Sequence, residues 1–261
     1  DDTIIYRSGK VQILEYPNQV NDDELIIEYD GVSLSDLTFT LGQFQPNPSN
    51  PNTADDLEIA FSGTTDDAIY IQDALEVKNG STVIYTEGGL ETITMENGPS
   101  LDLQDYTNWQ KGDGTANSLT GGVALGYGGD DTLTGTTGDD VLAGGDGADT
   151  LDGNSDGSDW LDGGKGDDTL IYELPADPST DTEITHVVGG AGDDTLKIYL
   201  TTAQFNDADI YAELKGMQNF IYYNNDNTAL NENEYAFSTF NLVARDIETL
   251  EVYVDSVLTS L

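Results

Sequence analysis

Apolar residues recur along this chain with three successive patterns, and each predicts a different element. In the first segment they come in short runs, Leu25-Ile26-Ile27-Glu28-Tyr29, Leu57-Glu58-Ile59-Ala60-Phe61 and Ala68-Ile69-Tyr70-Ile71, which read as strands. Asn79-Gly80 and Asn97-Gly98 lie between such runs and predict hairpins, while the proline-rich stretch 45–52 reads as a protruding loop. From Gly126 the period becomes nine, with Leu133, Leu142, Leu151, Leu161, Leu170 and Leu196 as the recurring apolar position. In the tail the spacing turns helical: Ile210, Leu214, Met217 and Ile221 share one face, with Asn206 or Asp207 placed as a cap. Strand-like runs return at 235–243 and 247–254. There Ile247-Glu248-Thr249-Leu250 echoes Leu90-Glu91-Thr92-Ile93, so two similar strands are expected, each closing a block.

The nine-residue copies are GYGGDDTLT, GTTGDDVLA, GGDGADTLD, a ten-residue GNSDGSDWLD, GGKGDDTLI and, after an interruption at 172–188, GGAGDDTLK. Glycine leads each copy, aspartate stands sixth (seventh in the ten-residue copy) and leucine follows two later. Physically, the glycines allow a tight turn with positive φ. A short strand follows, its leucine pointing inward onto leucines of the turns above and below. The aspartates then line the outside of each turn at one height, a strand spacing apart. Twelve aspartates and one basic residue, Lys165, fall between 126 and 171. Stacked carboxylates at that spacing demand a hard, oxygen-ligated cation. Tyr127 and Thr136 replace the second glycine in their copies. Asp152-x-Asn154-x-Asp156-Gly157 opens like an EF-hand loop, but Gly163 stands where that loop needs its closing Glu.

This pattern resembles the glycine-aspartate nonapeptide of the repeats-in-toxin (RTX, haemolysin-type calcium-binding) family. The resemblance implies a mainly β fold: a calcium-stabilised parallel β-roll (a right-handed β-helix). It also implies Ca2+ as the cofactor, roughly three to six ions by the loop count. The implied carboxylate ligands are Asp131, Asp140, Asp149, Asp159, Asp168 and Asp194, with Asp156 beside them in the ten-residue copy. The implied carbonyl ligands are those of Gly126, Gly128, Gly135, Thr137, Gly144, Asp146, Gly163, Lys165, Gly189 and Ala191. Asp1-Asp2-Thr3-Ile4 reads as the tail of one more nonapeptide, which adds Asp2 and suggests a chain cut from a longer one. The order of runs around 31–103 looks like the haemolysin-type calcium-binding-related domain found between such rolls. The expected organisation is therefore 1–110, a β-rich segment; 111–198, the roll with its insertion; and 199–261, a strand-helix-strand cap that hides the open end of the roll.

Composition narrows the function. Asp+Glu 50 against Lys+Arg 8 gives a net charge of -42, which repels nucleic acid and anionic membrane surfaces. No apolar run reaches the roughly 18 residues of a membrane span. Cys 0 removes disulfides and thiol chemistry, and the lone His186 lies in a strand-like run. No Gly-x-Ser-x-Gly elbow, zinc-protease helix or P-loop is present, so the chain is expected not to be an enzyme. Of 14 tyrosines, Tyr222 and Tyr223, with Asn225, form the stretch best suited to recognition, since tyrosine offers a rigid amphipathic contact surface.

The expectation is a monomeric module of a larger secreted or bacterial cell-surface adhesin. It would fold on Ca2+ and bind a peptide, protein or glycan on another surface. Two alternatives stay open: a purely structural roll, and the accessory roll of a secreted enzyme whose catalytic domain lies elsewhere.

Overall fold

Short runs of β-formers separated by glycine loops build two units, Asp1–Thr107 and Asn108–Leu261. The computed structural model describes residues 3–6, 10–14, 24–27, 36–42, 56–61, 68–72, 78–79, 82–83, 92–95, 98–102, 108–154, 157–178, 183–224 and 234–261. Asp2, Asp156 and Asn225 lie outside these residues.

The first unit contains β1 (Thr3–Tyr6), β2 (Lys10–Leu14), β3 (Glu24–Ile27), β4 (Leu37–Gly42) and β5 (Asp56–Phe61). It continues with β6 (Ala68–Gln72), β7 (Lys78–Asn79), β8 (Thr82–Val83), β9 (Thr92–Met95) and β10 (Ser100–Asp102). They form two four-stranded sheets, β1-β3-β9-β10 and β2-β6-β5-β4, and a separate β7-β8 hairpin. Alternate residues such as Leu25, Ile27, Ile93 and Met95 are buried. Both Asn-Gly signals fall at hairpins, β7-β8 and β9-β10.

The second unit is a coil of two facing, mainly parallel sheets. One sheet runs through β11 (Gln110–Lys111), β13 (Val123–Gly128), β15 (Val141–Asp146), β17 (Trp160–Lys165), β19 (Thr185–Ala191) and β22 (Leu242–Arg245), and ends on β21 (Glu234–Phe237). The other runs through β12 (Ser118–Thr120), β14 (Thr132–Thr134), β16 (Thr150–Asp152), β18 (Thr169–Glu173), β20 (Thr195–Leu200) and β23 (Thr249–Val254), and ends on β24 (Val257–Thr259). One full turn takes two nonapeptides, so the leucines form two stacks. In the second sheet Leu133, Leu151, Leu170, Leu196 and Leu250 are in register. In the first, Ala124, Leu142, Leu161, Val187 and Ala244 are. The six leucines that set the nine-residue period are all at 0% exposure, as the inward-pointing reading requires.

The tail is continuous with this core. α1 (Thr202–Phe205) starts at the cap Thr201, and α2 (Ala208–Asn224) starts beside Asp207, whose Oδ1 accepts from the amides of Asp209 and Ile210 at 2.9 and 3.2 Å. Ile210, Leu214 and Met217 are buried in the same cluster as the leucine stacks, together with Phe237, Phe240 and Leu242. Glu213 holds the β21-β22 turn by accepting from the amides of Ser238 and Thr239, at 2.8 and 2.9 Å. The echo between 247–250 and 90–93 has a structural counterpart. β9 and β23 are each the last parallel strand of a sheet, and each is followed by an antiparallel strand, β10 or β24. Among the described residues no helix is long and apolar enough to cross a membrane.

Candidate metal centre

Two edges of the coil carry its loops. On the first edge the chain passes from the β13 sheet to the β14 sheet, through the loops that end at Asn117, Asp131, Asp149, Asp168, Asp194 and Glu248. On the second it passes back, through the loops that end at Asp140 and Asp159, the 174–184 insertion and the helical tail.

The sixth-position aspartates do not line the outside, as the repeat pattern suggested. Asp131, Asp140, Asp149, Asp159, Asp168 and Asp194 are all at most 3% exposed, while the preceding Asp130, Asp139, Asp167 and Asp193 are exposed. Backbone hydrogen bonding is the reason. All but Asp140 accept, through Oδ1, the amide of their counterpart one turn earlier. The first-edge ladder runs Asn117 to Asp131 (2.7 Å), Asp131 to Asp149 (2.7 Å), Asp149 to Asp168 (2.7 Å) and Asp168 to Asp194 (2.8 Å). It ends with the Asp194 amide donating to Glu248 Oε2 at 2.8 Å. On the second edge Asp140 donates to Asp159 Oδ1 at 3.1 Å, and the Asp159 amide reaches Thr185 Oγ1 at 3.5 Å.

The other carboxylate oxygen is the informative one. Oδ2 of Asp131, Asp149, Asp168 and Asp194 is buried and accepts no hydrogen bond. Burying such an oxygen without a partner is costly. Each faces the missing side chain of its own first-position glycine. A methyl group on Gly126 would collide with Asp131 Oδ2 and the Gly144 carbonyl oxygen. On Gly144 it would meet Asp149 Oδ2 and, at 2.7 Å, the Gly163 oxygen; on Gly163, Asp168 Oδ2 and, at 2.6 Å, the Gly189 oxygen. On Gly189 it would meet the Asp246 oxygen and, at 2.7 Å, Asp194 Oδ2. Glycine here makes room for converging oxygens. The result is four cradles, each pairing one carboxylate oxygen with a carbonyl of the next turn.

Electrostatics follows from the geometry. Burial, reinforced by neighbouring carboxylates and only partly offset by the amide bond, pushes Asp149 up to about 6 and Asp168 and Asp194 to about 7. Asp131 is raised for the same reasons, and burial takes Asp159 to about 8. Among the described residues no three Asp, Glu or His side chains gather as a metal cluster. The donors of each cradle are all oxygens, a carboxylate and a carbonyl, which suits Ca2+, a hard ion that takes six to eight oxygens.

The scan against protein families matches the RTX calcium-binding nonapeptide repeat in four copies, over residues 125–156, 155–172 and 184–197. This chain carries RTX calcium-binding repeats. The repeats mark the roll as a calcium-binding module, and RTX repeats typically occur in secreted proteins. No curated protein matches the chain.

The remaining residues implied by the RTX resemblance divide by position. The third-position carbonyls of Asp146, Lys165 and Ala191 accept amides of the preceding turn, from Gly129, Gly147 and Gly166, each at 2.8 Å. The Lys165 ammonium pairs with the Asp146 carboxylate at 3.0 Å in the open. Gly128 ends β13, and Thr137 is exposed on the second edge. Tyr127 keeps the left-handed backbone (φ 70) that Gly145, Gly164 and Gly190 adopt in the same repeat position, so this departure preserves the turn. Gly135 belongs to the second edge and lies against Asp140 Oδ2. Tyr222 and Tyr223 are 78% and 76% exposed at the end of α2, with ring centroids 5.2 Å apart and nearly perpendicular. His186 stacks on Trp160 at 5.0 Å, a packing role along the outer face of the sheet.

Three ladder members escaped the sequence reading. Asn117 closes a degenerate repeat, Gly112-Asp113-Gly114-Thr115-Ala116-Asn117-Ser118-Leu119, with glycine first and leucine eighth. Glu248 leads Thr249-Leu250 with the acid-Thr-Leu spacing of the repeats but no glycine before it. Thr185 is buried in the place of a carboxylate and carried no readable signal.

Proposed function

We propose that this chain is a non-enzymatic, extracellular calcium-binding adhesion module of a larger secreted or cell-surface protein. In this reading the second unit folds when Ca2+ fills the cradles, and the tail then displays a surface for a peptide, protein or glycan on another cell. The observation that carries the calcium half is the set of four buried Oδ2 atoms with no hydrogen-bond partner. Asp131, Asp149, Asp168 and Asp194 would hold the ions together with the carbonyls of Gly144, Gly163, Gly189 and Asp246. Bound calcium would supply the positive charge that the stacked carboxylates lack. Support for the recognition half is the pair Tyr222 and Tyr223, left exposed on an insertion that the coil itself does not require. The net charge of -42 argues against nucleic acid as the partner.

Far-ultraviolet circular dichroism and calorimetry with and without chelator test the first half. Loss of the roll's β signal on chelation is expected, and an unchanged melt would sink it. For the second half, a calcium-dependent screen on peptide and glycan arrays is compared with Tyr222→Ala and Tyr223→Ala. Binding lost in both variants with calcium uptake intact is the expected result. The burial of Ile210, Leu214 and Met217 favours a second reading, in which the tail serves only to cap the roll. Silence on every array would select it.

A further inference from the structure

The two edges of the coil share a backbone course but not a chemistry. On the first edge the buried Oδ2 atoms accept no hydrogen bond and lie beside the next-turn carbonyls. On the second edge Gly135 makes the same kind of room, a methyl group there meeting Asp140 Oδ2 and, at 2.9 Å, the Gly153 oxygen, but the chain's own donors reach into this gap. Thr136 gives its amide to Asp140 Oδ2 at 2.9 Å and its hydroxyl to Oδ1 at 3.0 Å. Asn154 reaches across from the next turn, donating its side-chain amide to the carbonyls of Gly135 at 2.8 Å and Thr136 at 3.1 Å. Asp140 is the carboxylate, and Gly135 one of the first-position carbonyls, that a cation between these two turns would draw on. An N–H donor and a cation compete for the same lone pairs, so a gap closed by donors has no need of an ion.

We infer that calcium loads one edge of the roll only, filling the four first-edge cradles while the Asn154 amide and Thr136 plug the second edge. The column of ions also has a defined start. Before Asp131 the ladder position is held by neutral Asn117, whose Oδ1 already accepts the Asp113 amide at 2.8 Å. The two second-edge departures from the repeat pattern, Thr136 and Asn154 in place of the second glycine, thus have one consequence: they replace a metal with hydrogen bonds. The edge freed from ligation is the one that carries the 174–184 insertion and the helical tail.

This inference rests on the calcium reading above, and native mass spectrometry of the full chain in calcium separates the two. Asp140→Asn is expected to keep the wild-type number of bound ions, and Asp149→Asn to lose at least one. Asn154 is exposed and holds φ 65, which aspartate also tolerates. Asn154→Asp therefore folds and should gain one ion, because a carboxylate then replaces the plugging amide. An equal loss in Asp140→Asn and Asp149→Asn, or an Asn154→Asp count equal to wild type, would overturn the one-edge assignment. A wild-type chain that takes up no calcium at all would instead overturn the calcium reading. The Asn154→Asp and Asp140→Asn arms stand even if Asp149→Asn fails to fold.

Discussion

At the scale of single residues, the buried aspartates tie folding to both protons and calcium. Unfolded, their carboxyls titrate near the ordinary value of about 3.9; in the metal-free fold Asp149 lies at about 6 and Asp168 and Asp194 at about 7. The folded state therefore holds more protons than the unfolded one between those values, and stability falls as pH rises through that window. Without calcium, the chain should show more β signal in circular dichroism at about pH 5 than at about pH 7.5. With calcium the order should reverse, because ligation requires the ionised form. A metal-free signal that grows with pH would contradict the burial argument. The first-position glycines give a second test. Gly163→Ala puts a methyl group against Asp168 Oδ2 and the Gly189 carbonyl, and overpacking of that kind costs about 1–3 kcal/mol. A lower melting temperature in calcium together with one fewer bound ion is expected, where a purely local packing defect would leave the count intact.

At the scale of elements, the tail earns its place by closing the coil. A parallel stack ends in an open edge that invites pairing with another chain. Here both sheets finish on antiparallel strands, β21 and β24, and α2 lays Ile210, Leu214 and Met217 into the common core. Leu214 is fully buried, so Leu214→Ala should cost about 2–5 kcal/mol in denaturant melts of the calcium-loaded chain. Asp207→Ala removes the acceptor of two helix amides and should cost about 1 kcal/mol. Neither should change the number of bound ions, since both residues belong to the second-edge insertion. The helical period and its cap were readable in the sequence because Ile210, Leu214 and Met217 repeat along one face. The sharing of a core with the leucine stacks was not, because it depends on Leu242, Ala244 and Leu250 joining strands more than forty residues earlier in the chain.

At the scale of the whole molecule, the charge of -42 poses a question that only the fold resolves. Diffuse repulsion between exposed carboxylates is screened by any salt, with a Debye length of about 10 Å at 0.1 M. The buried Oδ2 atoms are beyond the reach of such screening and need a ligated ion. Raising sodium chloride to about 0.5 M without calcium should therefore fail to restore the roll, whereas millimolar calcium should restore it. Circular dichroism at matched ionic strength distinguishes the two, and refolding by sodium alone would show that general repulsion, not ligation, controls the fold. The edges also divide the labour of the molecule. The first keeps its loops short and regular along the ladder, while the second accepts the insertions and so the exposed tyrosines.

The sequence by itself determined the period, the inward leucines, the glycine turns and the identity of the sixth-position carboxylates. Each of these is a local constraint: a residue type either suits its place in the turn or it does not. Only the tertiary structure decided that two nonapeptides make one turn, so that consecutive copies fall on opposite edges until the 172–188 interruption returns the sixth copy to the first edge. It also decided that the first-edge aspartates sit beneath their loops, because the amides they accept belong to residues 14 to 26 positions away. Glu248, Asn117 and Asn154 take their roles from the same long-range register. What a carboxylate or an amide does in this chain depends on which oxygen the next turn brings to face it.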